Sequence, residues 1–358
     1  MNWDTLRASI DFALGLASSN IELIFLGGEP LLEWNQLRRA VEYSERHLAR
    51  HKRVNYTLTT NGLLITRKIA AFLNKHRIQT RISFDGVPQA QDYRNKGSFV
   101  IIDRLLDRLR LEHPNLFRRS LGICITLIPT TIPYLADSVA YLIGKGVQDI
   151  SISPCFTPYP GWTDERICQL EAQVSRIYDL SLTHFKKCHK VPVAFLRRRK
   201  QKPPRRPKTR DMCGVIRAGD LLIDVDGQAY GCVLFTDSYQ KFSSEFLSKR
   251  MEALRLGDFR APDFWKRLAA FPAAARITGI FDHKERKYSS YGRCGECAYL
   301  GECAVCPVSI GYDPENRDPH RVPDFICAFN LVTLKYRRRF PVVPDPKERL
   351  KILLGLKK

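Results

Sequence analysis

Glu22-Leu23-Ile24-Phe25-Leu26-Gly27-Gly28-Glu29-Pro30 is a short apolar run that stops on two glycines, an acid and a proline. The run reads as a buried strand and the Gly-Gly-Glu-Pro as its exit, with Pro30 able to open a following helix. Outward from it, helix and strand patterns alternate five times between Met1 and His189. Helix 3–18 leads into this strand, and helix 33–51, with Leu37, Ala40, Val41, Ser44 and Leu48 on one face, leads to strand 55–60. Helix 67–76 leads to strand 80–84, helix 100–111 to strand 121–127 and helix 132–145 to strand 149–153, and a long helix 164–189 closes the series. Such alternation predicts an α/β fold, a parallel sheet with helices packed outside it and its active groups at the carboxyl ends of the strands. The second strand exits through Thr59-Thr60-Asn61-Gly62 and the third through Ser83-Phe84-Asp85-Gly86. Three glycine-bearing exits on successive strands predict a ligand mouth, because glycine lets the backbone approach a ligand closely.

The far end of the chain is dense in cysteine: Cys294-x2-Cys297-x5-Cys303-x2-Cys306-Pro307, with Cys213 and Cys232 before it and Cys327 after it. Two zinc knuckles normally stand about 12 to 20 residues apart. Five intervening residues are too few for that, and they suit iron-sulfur ligation better, where one cube draws thiolates from separate segments. Structural zinc is the rival reading and a disulfide framework the third. Cys124, Cys168 and Cys188 read as structural, and Cys155, after a strand's end, falls near the mouth.

A length of 358 residues predicts two domains. No run approaches the roughly 18 apolar residues of a membrane span, and Asp4 and Asp11 interrupt the N-terminal pattern, so a cytoplasmic protein with reduced thiols is expected. The net charge of +21 favours an anionic partner. Much of the excess lies in Arg197–Arg210, a proline-broken run that reads as an extended linker or as a clamp for an acidic peptide. Nucleic acid is disfavoured as partner, because the run has no aromatic residues to stack on bases.

The three strand exits, Gly-Gly-Glu-Pro, Thr-Asn-Gly and Ser-x-Asp-Gly, resemble those of the radical S-adenosylmethionine (radical SAM) barrel. Cys213-x13-Gly227-x4-Cys232, Cys294-x2-Cys297-x5-Cys303 and Cys327 resemble the SPASM extension that carries auxiliary iron-sulfur clusters in the sulfatase and peptide maturases. The interval from Cys303 to Cys306 departs from the family, which has x3 there. The Cys-x3-Cys-x2-Cys loop that holds the family's catalytic cluster is absent from this sequence. The resemblance therefore implies a partial (β/α)6 barrel lacking its first strand, with an unpaired edge at Glu22, followed by a small cysteine-rich domain. The implied boundaries are 1–192 for the barrel, 193–211 for a basic linker, 212–335 for the SPASM domain and 336–358 for a basic tail. A truncated gene product is favoured over a degenerate protein.

The resemblance also implies roles. Gly27, Gly28, Glu29 and Pro30 would bind the amino group of S-adenosylmethionine, with Asn61, Ser83 and Asp85 deeper in the pocket, and Arg94 is read as pairing with Asp92. Cys294, Cys297, Cys303 and Cys327 would hold one auxiliary 4Fe-4S cluster. Cys213, Cys232 and Cys306 would hold the other, with an open iron site. The implied activity is modification of a peptide or protein by hydrogen abstraction through a 5'-deoxyadenosyl radical, with flavodoxin or ferredoxin as reductant. The alternative is a non-catalytic iron-sulfur protein for electron transfer or partner binding.

Overall fold

The computed structural model describes residues 1–155, 161–199, 220–236 and 255–343, apart from 278, 280, 282, 307, 308 and 313–315. Cys213 and most of the basic run lie outside the described residues. In chain order the elements are α1 (Trp3–Gly15), β1 (Asn20–Phe25), α2 (Trp34–His47), β2 (Arg53–Thr60), α3 (Arg67–Lys75), β3 (Gln79–Ser83), α4 (Pro88–Arg94), α5 (Phe99–Glu112), β4 (Leu121–Leu127), α6 (Leu135–Lys145), β5 (Ile150–Pro154) and α7 (Asp164–Cys188). There follow β6 (Arg198–Arg199), β7 (Leu222–Ile223), β8 (Gln228–Tyr230), β9 (Arg255–Asp258), α8 (Phe264–Ile277), β10 (Tyr288–Ser289), β11 (Gly292–Arg293), α9 (Asp324–Arg339) and β12 (Val342–Val343). They fall into two compact units. One takes in Met1–Gly15, Cys155 and the described part of 207–331; the other takes in Leu16–Pro154 and the described parts of 161–206 and 332–358.

The second unit is built on five parallel strands in the order β1-β2-β3-β4-β5, as the alternation predicts. Successive side chains on a strand point to opposite faces, so the register decides what each face carries. One set of rows runs Phe25, Leu58, Thr80, Leu121 and Thr60, Ile82, Ile123, Ile150. Leu58, Ile82, Ile123 and Ile150 in these rows are fully buried. Helices cover this face. α2 buries Leu37, Ala40, Val41 and Ser44, the spacing of one helical face, and the Ser44 hydroxyl meets the Tyr56 hydroxyl of β2 at 2.8 Å. α5 does the same with Ile102, Leu105, Leu106 and Leu109.

The opposite face is polar. Its rows are Thr59, Arg81, Gly122, then Ser83, Cys124, Ser151, then Thr126, Ser153. Thr57, Thr59, Ser83, Cys124, Thr126 and Ser151 on it are half-exposed. Parallel sheets in globular proteins are normally apolar on both faces. A hydroxyl-rich second face is what a barrel interior that receives a ligand would need.

β1 has β2 as its strand neighbour at one edge of the sheet, as the sequence leads one to expect, and Ile24 on it is 52% exposed. Leu48, expected on the buried face of α2, stands beyond it, because the chain turns extended there (φ −69, ψ 123). The short helix α4 has no periodic signature in the sequence: Pro88 opens it and Arg94 closes it within seven residues. Two residues of the basic run, Arg198 and Arg199, form β6 and pair in parallel with β12.

In the first unit, β7, β8 and β9 form an antiparallel sheet over a core of Tyr230, Phe235, Phe259, Phe264, Phe271 and Phe281. α1 packs here. Phe12 meets Phe259 and Phe264 edge-on at 5.8 and 5.7 Å and stacks on Trp265 at 5.1 Å. The sequence gives α1 to the barrel as its first helix; the aromatic contacts of Phe12 group it with the cysteine-rich unit instead. Among the described residues no helix is long and apolar enough to cross a membrane.

Gly86 carries a fold-specific constraint. Its φ is +91°, and an added Cβ would stand 2.4 Å from Ser138 Cβ and 2.8 Å from its Cα on α6. Gly86→Ala is expected to cost about 2–4 kcal/mol from the unfavourable φ and the overlap combined, read as a lower urea midpoint at unchanged slope.

Candidate functional site

The carboxyl ends of β1, β2 and β3 converge through one side chain. Glu29 stands in extended conformation just before a single 3-10 turn that Pro30 opens. Its Oε1 accepts from Leu31 N at 3.1 Å and from the Thr60 hydroxyl at 2.7 Å, and its Oε2 accepts from Asn61 N at 2.7 Å. The carboxylate thus caps its own turn and ties the exit of β1 to that of β2. A carboxylate offers about four acceptor positions, so three donors leave room for one more on Oε2. Asn61 Oδ1 accepts from Leu63 N at 2.9 Å, which fixes the next turn.

Gly28 contrasts with Gly86. An added Cβ at Gly28 would meet no protein atom within 4 Å, and its φ is one that any residue can adopt. Among the described residues nothing packs where a side chain would stand, so the backbone here is open to close approach. Ser83, at the end of β3, is half-exposed on the polar face beside Cys124, and its hydroxyl has no hydrogen-bond partner among the described residues.

Asp85 is engaged otherwise. It is 5% exposed and accepts two hydrogen bonds from Arg94, at 2.8 and 2.9 Å, and one from Thr126 N at 2.9 Å. The sequence pairs Arg94 with Asp92; in the structure its guanidinium closes on Asp85 and Asp92 caps Gly97 N at 3.0 Å. Thr60 was not singled out as a site-forming residue, and Arg94 was read with Asp92 rather than Asp85 as its partner. Thr60 had a signal, since it continues the inward alternation of Tyr56 and Leu58 to the very end of β2. Arg94 had none.

Four thiols gather in the first unit. Cys294 follows the β10–β11 hairpin, Cys297 closes the turn with its N–H on the Cys294 carbonyl at 3.1 Å, Cys303 N donates to the Tyr299 carbonyl at 2.9 Å, and Cys327 lies in the first turns of α9. Burial pushes the Cys294 thiol up to about 11, with the neighbouring Cys327 and Cys297 adding to it. Burial pushes Cys303 up to about 12, opposed by Lys284 and helped by Cys327, Cys294 and Cys297. Burial likewise raises Cys327, where a hydrogen bond from Ser289 works the other way. Neighbouring thiols of the four are thus among the causes that raise Cys294, Cys303 and Cys327.

Four thiols are a donor set that both structural zinc and iron-sulfur clusters take. Thiolates around one zinc at 2.3 Å bonds stand about 3.8 Å apart in a tetrahedron. Among the described residues no group of three or more His, Cys, Asp or Glu side chains is placed to hold a metal ion. A cube spreads its four ligands over four irons and takes a wider quartet. Cys232 and Cys306, assigned to the other cluster with Cys213, pack against the same apolar core of Phe235 and Phe281. Cys168 and Cys188, expected to be structural, are exposed on α7, and Cys124 is half-buried.

No family model matches the chain. A stretch of 154 residues, 42% of the chain, is 32% identical to an uncharacterized protein of Methanocaldococcus jannaschii and spans 52% of that protein. A stretch of 81 residues, 23% of the chain, is 33% identical to the radical SAM cyclopropyl synthase TigE of Paramaledivibacter caminithermalis and spans 17% of it. The chain thus spans about half or less of the curated relatives it matches. Among solved structures, the sulfatase maturase anSMEcpe with bound AdoMet and Kp18Cys peptide superposes with a TM-score of 0.66 at 14% identity, covering 95% of this chain and 89% of that one. SuiB of Streptococcus suis bound to S-adenosylmethionine superposes with a TM-score of 0.54 at 16% identity, covering 91% and 70%. The chain has the α/β fold of radical SAM enzymes of the SPASM type.

The buried Asp85–Arg94 pair predicts a stability effect. Asp85→Ala leaves the half-buried guanidinium and the Thr126 N–H without their acceptor and is expected to cost about 3 kcal/mol in urea unfolding. Asp92→Ala, which removes only an exposed cap, is expected to cost under about 1 kcal/mol.

Proposed function

We propose that this chain binds S-adenosylmethionine at the exits of β1, β2 and β3 and serves radical modification of a peptide or protein. The observation that carries the reading is the pairing of an open glycine at Gly28 with a sheet face that turns hydroxyls, rather than apolar groups, toward the space beside it. The carbonyls of Gly27 and Gly28 and the remaining acceptor position of Glu29 Oε2 suit an ammonium group. Asn61 and the Ser83 hydroxyl, which has no partner among the described residues, suit a ribose or carboxylate. With one electron from a 4Fe-4S cluster of the kind held by a Cys-x3-Cys-x2-Cys loop, which this sequence does not itself contain, bound S-adenosylmethionine would be cleaved to methionine and a 5'-deoxyadenosyl radical able to take a hydrogen atom from the substrate. The chain's own groups orient the ligand and, through the Glu29 and Asp85 ties, keep the rim of the mouth rigid.

In this reading Cys294, Cys297, Cys303 and Cys327 hold one auxiliary 4Fe-4S cluster, and Cys213, Cys232 and Cys306 contribute to a second. Flavodoxin or ferredoxin is the natural class of reductant. The peptide partner is acidic. Lys186, Lys187 and Lys190 at the end of α7, Arg198 on β6, and Arg338 and Arg339 at the end of α9 are all exposed, and Arg198 donates to the Arg338 carbonyl at 2.9 Å. These cations from three segments gather on the second unit beside the start of the basic run. The retained glycine cradle weighs against the alternative of a protein that keeps only its clusters for electron transfer.

The test is titration calorimetry with S-adenosylmethionine under anaerobic conditions. Gly28→Val is expected to lower affinity at least tenfold while changing stability by less than about 0.5 kcal/mol, because a Cβ there meets no described atom within 4 Å. Equal affinity in the two proteins, or no binding by the unaltered chain, would overturn the assignment.

A further inference from the structure

The quartet of thiols has a cation built against it. Residues 284–286 form a single 3-10 turn that lies on the Cys294-Gly295-Glu296-Cys297 turn. The approach is close: a Cβ on Gly295 would stand 3.1 Å from the Glu285 carbonyl oxygen. From this turn the Lys284 ammonium reaches into the loop between Cys297 and Cys303, donating to the Cys303 carbonyl at 2.6 Å and to the Leu300 carbonyl at 3.2 Å. Next to it, the Lys287 carbonyl accepts from Cys294 N at 2.9 Å, and the buried Lys287 ammonium donates to the Gly279 and Pro319 carbonyls, each at 2.7 Å. Near Cys327, Ser289 is 7% exposed; its oxygen accepts from Tyr291 N at 3.2 Å, and its hydroxyl acts to lower the Cys327 thiol.

We propose that Lys284, seconded by Ser289, sets the reduction potential of the cluster held by Cys294, Cys297, Cys303 and Cys327, keeping it high enough for the cluster to accept an electron readily. The inference rests on the cluster assignment under Proposed function. Each electron taken up adds one negative charge to a site already carrying four thiolates. A cation fixed by two carbonyls in the ligand loop, and a hydroxyl beside a ligand sulfur, both stabilise the reduced form over the oxidised one. Net charge near the cluster and hydrogen bonds to its sulfurs are the levers by which proteins set such potentials. A purely structural lysine would serve the loop equally well through any donor to the same two carbonyls. Lys284 is a positioning residue here, since it touches the ligand loop and not the reacting atoms.

The test is an anaerobic redox titration of the reconstituted full chain with dithionite, followed by electron paramagnetic resonance. The quartet's step is identified as the one lost in Cys303→Ala. Lys284→Gln, which keeps a donor but removes the charge, is expected to move that step to more negative potential by about tenfold in the oxidised-to-reduced ratio, or roughly 59 mV for one electron. Lys284→Arg is expected to restore the original value, and Ser289→Ala to move it in the same direction as Lys284→Gln by less. Any other step should stay where it is. A potential unchanged in Lys284→Gln at full iron and sulfide content would overturn the proposal while leaving the cluster assignment intact. Absence of any quartet cluster in the unaltered protein would overturn both. If Lys284→Gln fails to load, Lys284→Arg and Ser289→Ala decide: loading in both with no shift in Ser289→Ala counts against the proposal.

Discussion

The parallel register of β1 to β5 is the constraint on which the rest of the second unit depends. Because side chains alternate across a strand, a slip of one residue in any strand would exchange its apolar and polar sets. The register that places Ile82 beside Thr60 and Ile123 is the same register that places Ser83 beside Cys124 and Cys124 beside Ser151. Burying one face under α2 and α5 therefore fixes the hydroxyl-rich composition of the other. The core and the ligand face have one cause.

Two carboxylates then hold the mouth in shape. Glu29 joins the exits of β1 and β2 through Thr60 and Asn61 N, and Asp85 joins the exit of β3 to β4 through Thr126 N while drawing in Arg94 from α4. Both occur in motifs that resemble cofactor-binding segments, yet most of their acceptor capacity is spent on protein donors. What they contribute is order at the ends of strands, where fraying would otherwise be cheap. Gly28 and Ser83 are left as the groups with unspent capacity for a ligand.

Much of this was legible in the sequence, and the reason is periodicity. All five strands lie within about two residues of where alternation and apolar runs set them, because long, regular segments dominate their own neighbourhoods. The cysteine quartet rests on a different signal, spacing and family pattern together, and owes nothing to periodicity. Three features were not legible. α4 is too short to show a period. The pairing of Arg94 with Asp85 rather than with Asp92 depends on how the turn after β3 folds back, which no local pattern encodes. The placement of α1 follows from Phe12 finding Phe259, Phe264 and Trp265, partners about 250 residues away, and a helix's own sequence says only that it has an apolar side.

The cysteine-rich unit carries the claim that separates a radical enzyme from a zinc-stapled domain, and one assay addresses it: iron, labile sulfide and zinc per chain after anaerobic purification and reconstitution. The account predicts about four irons with matching sulfide for the quartet, rising toward about eight if the site that includes Cys232 and Cys306 also fills, and no zinc beyond trace. Stoichiometric zinc without sulfide would contradict it.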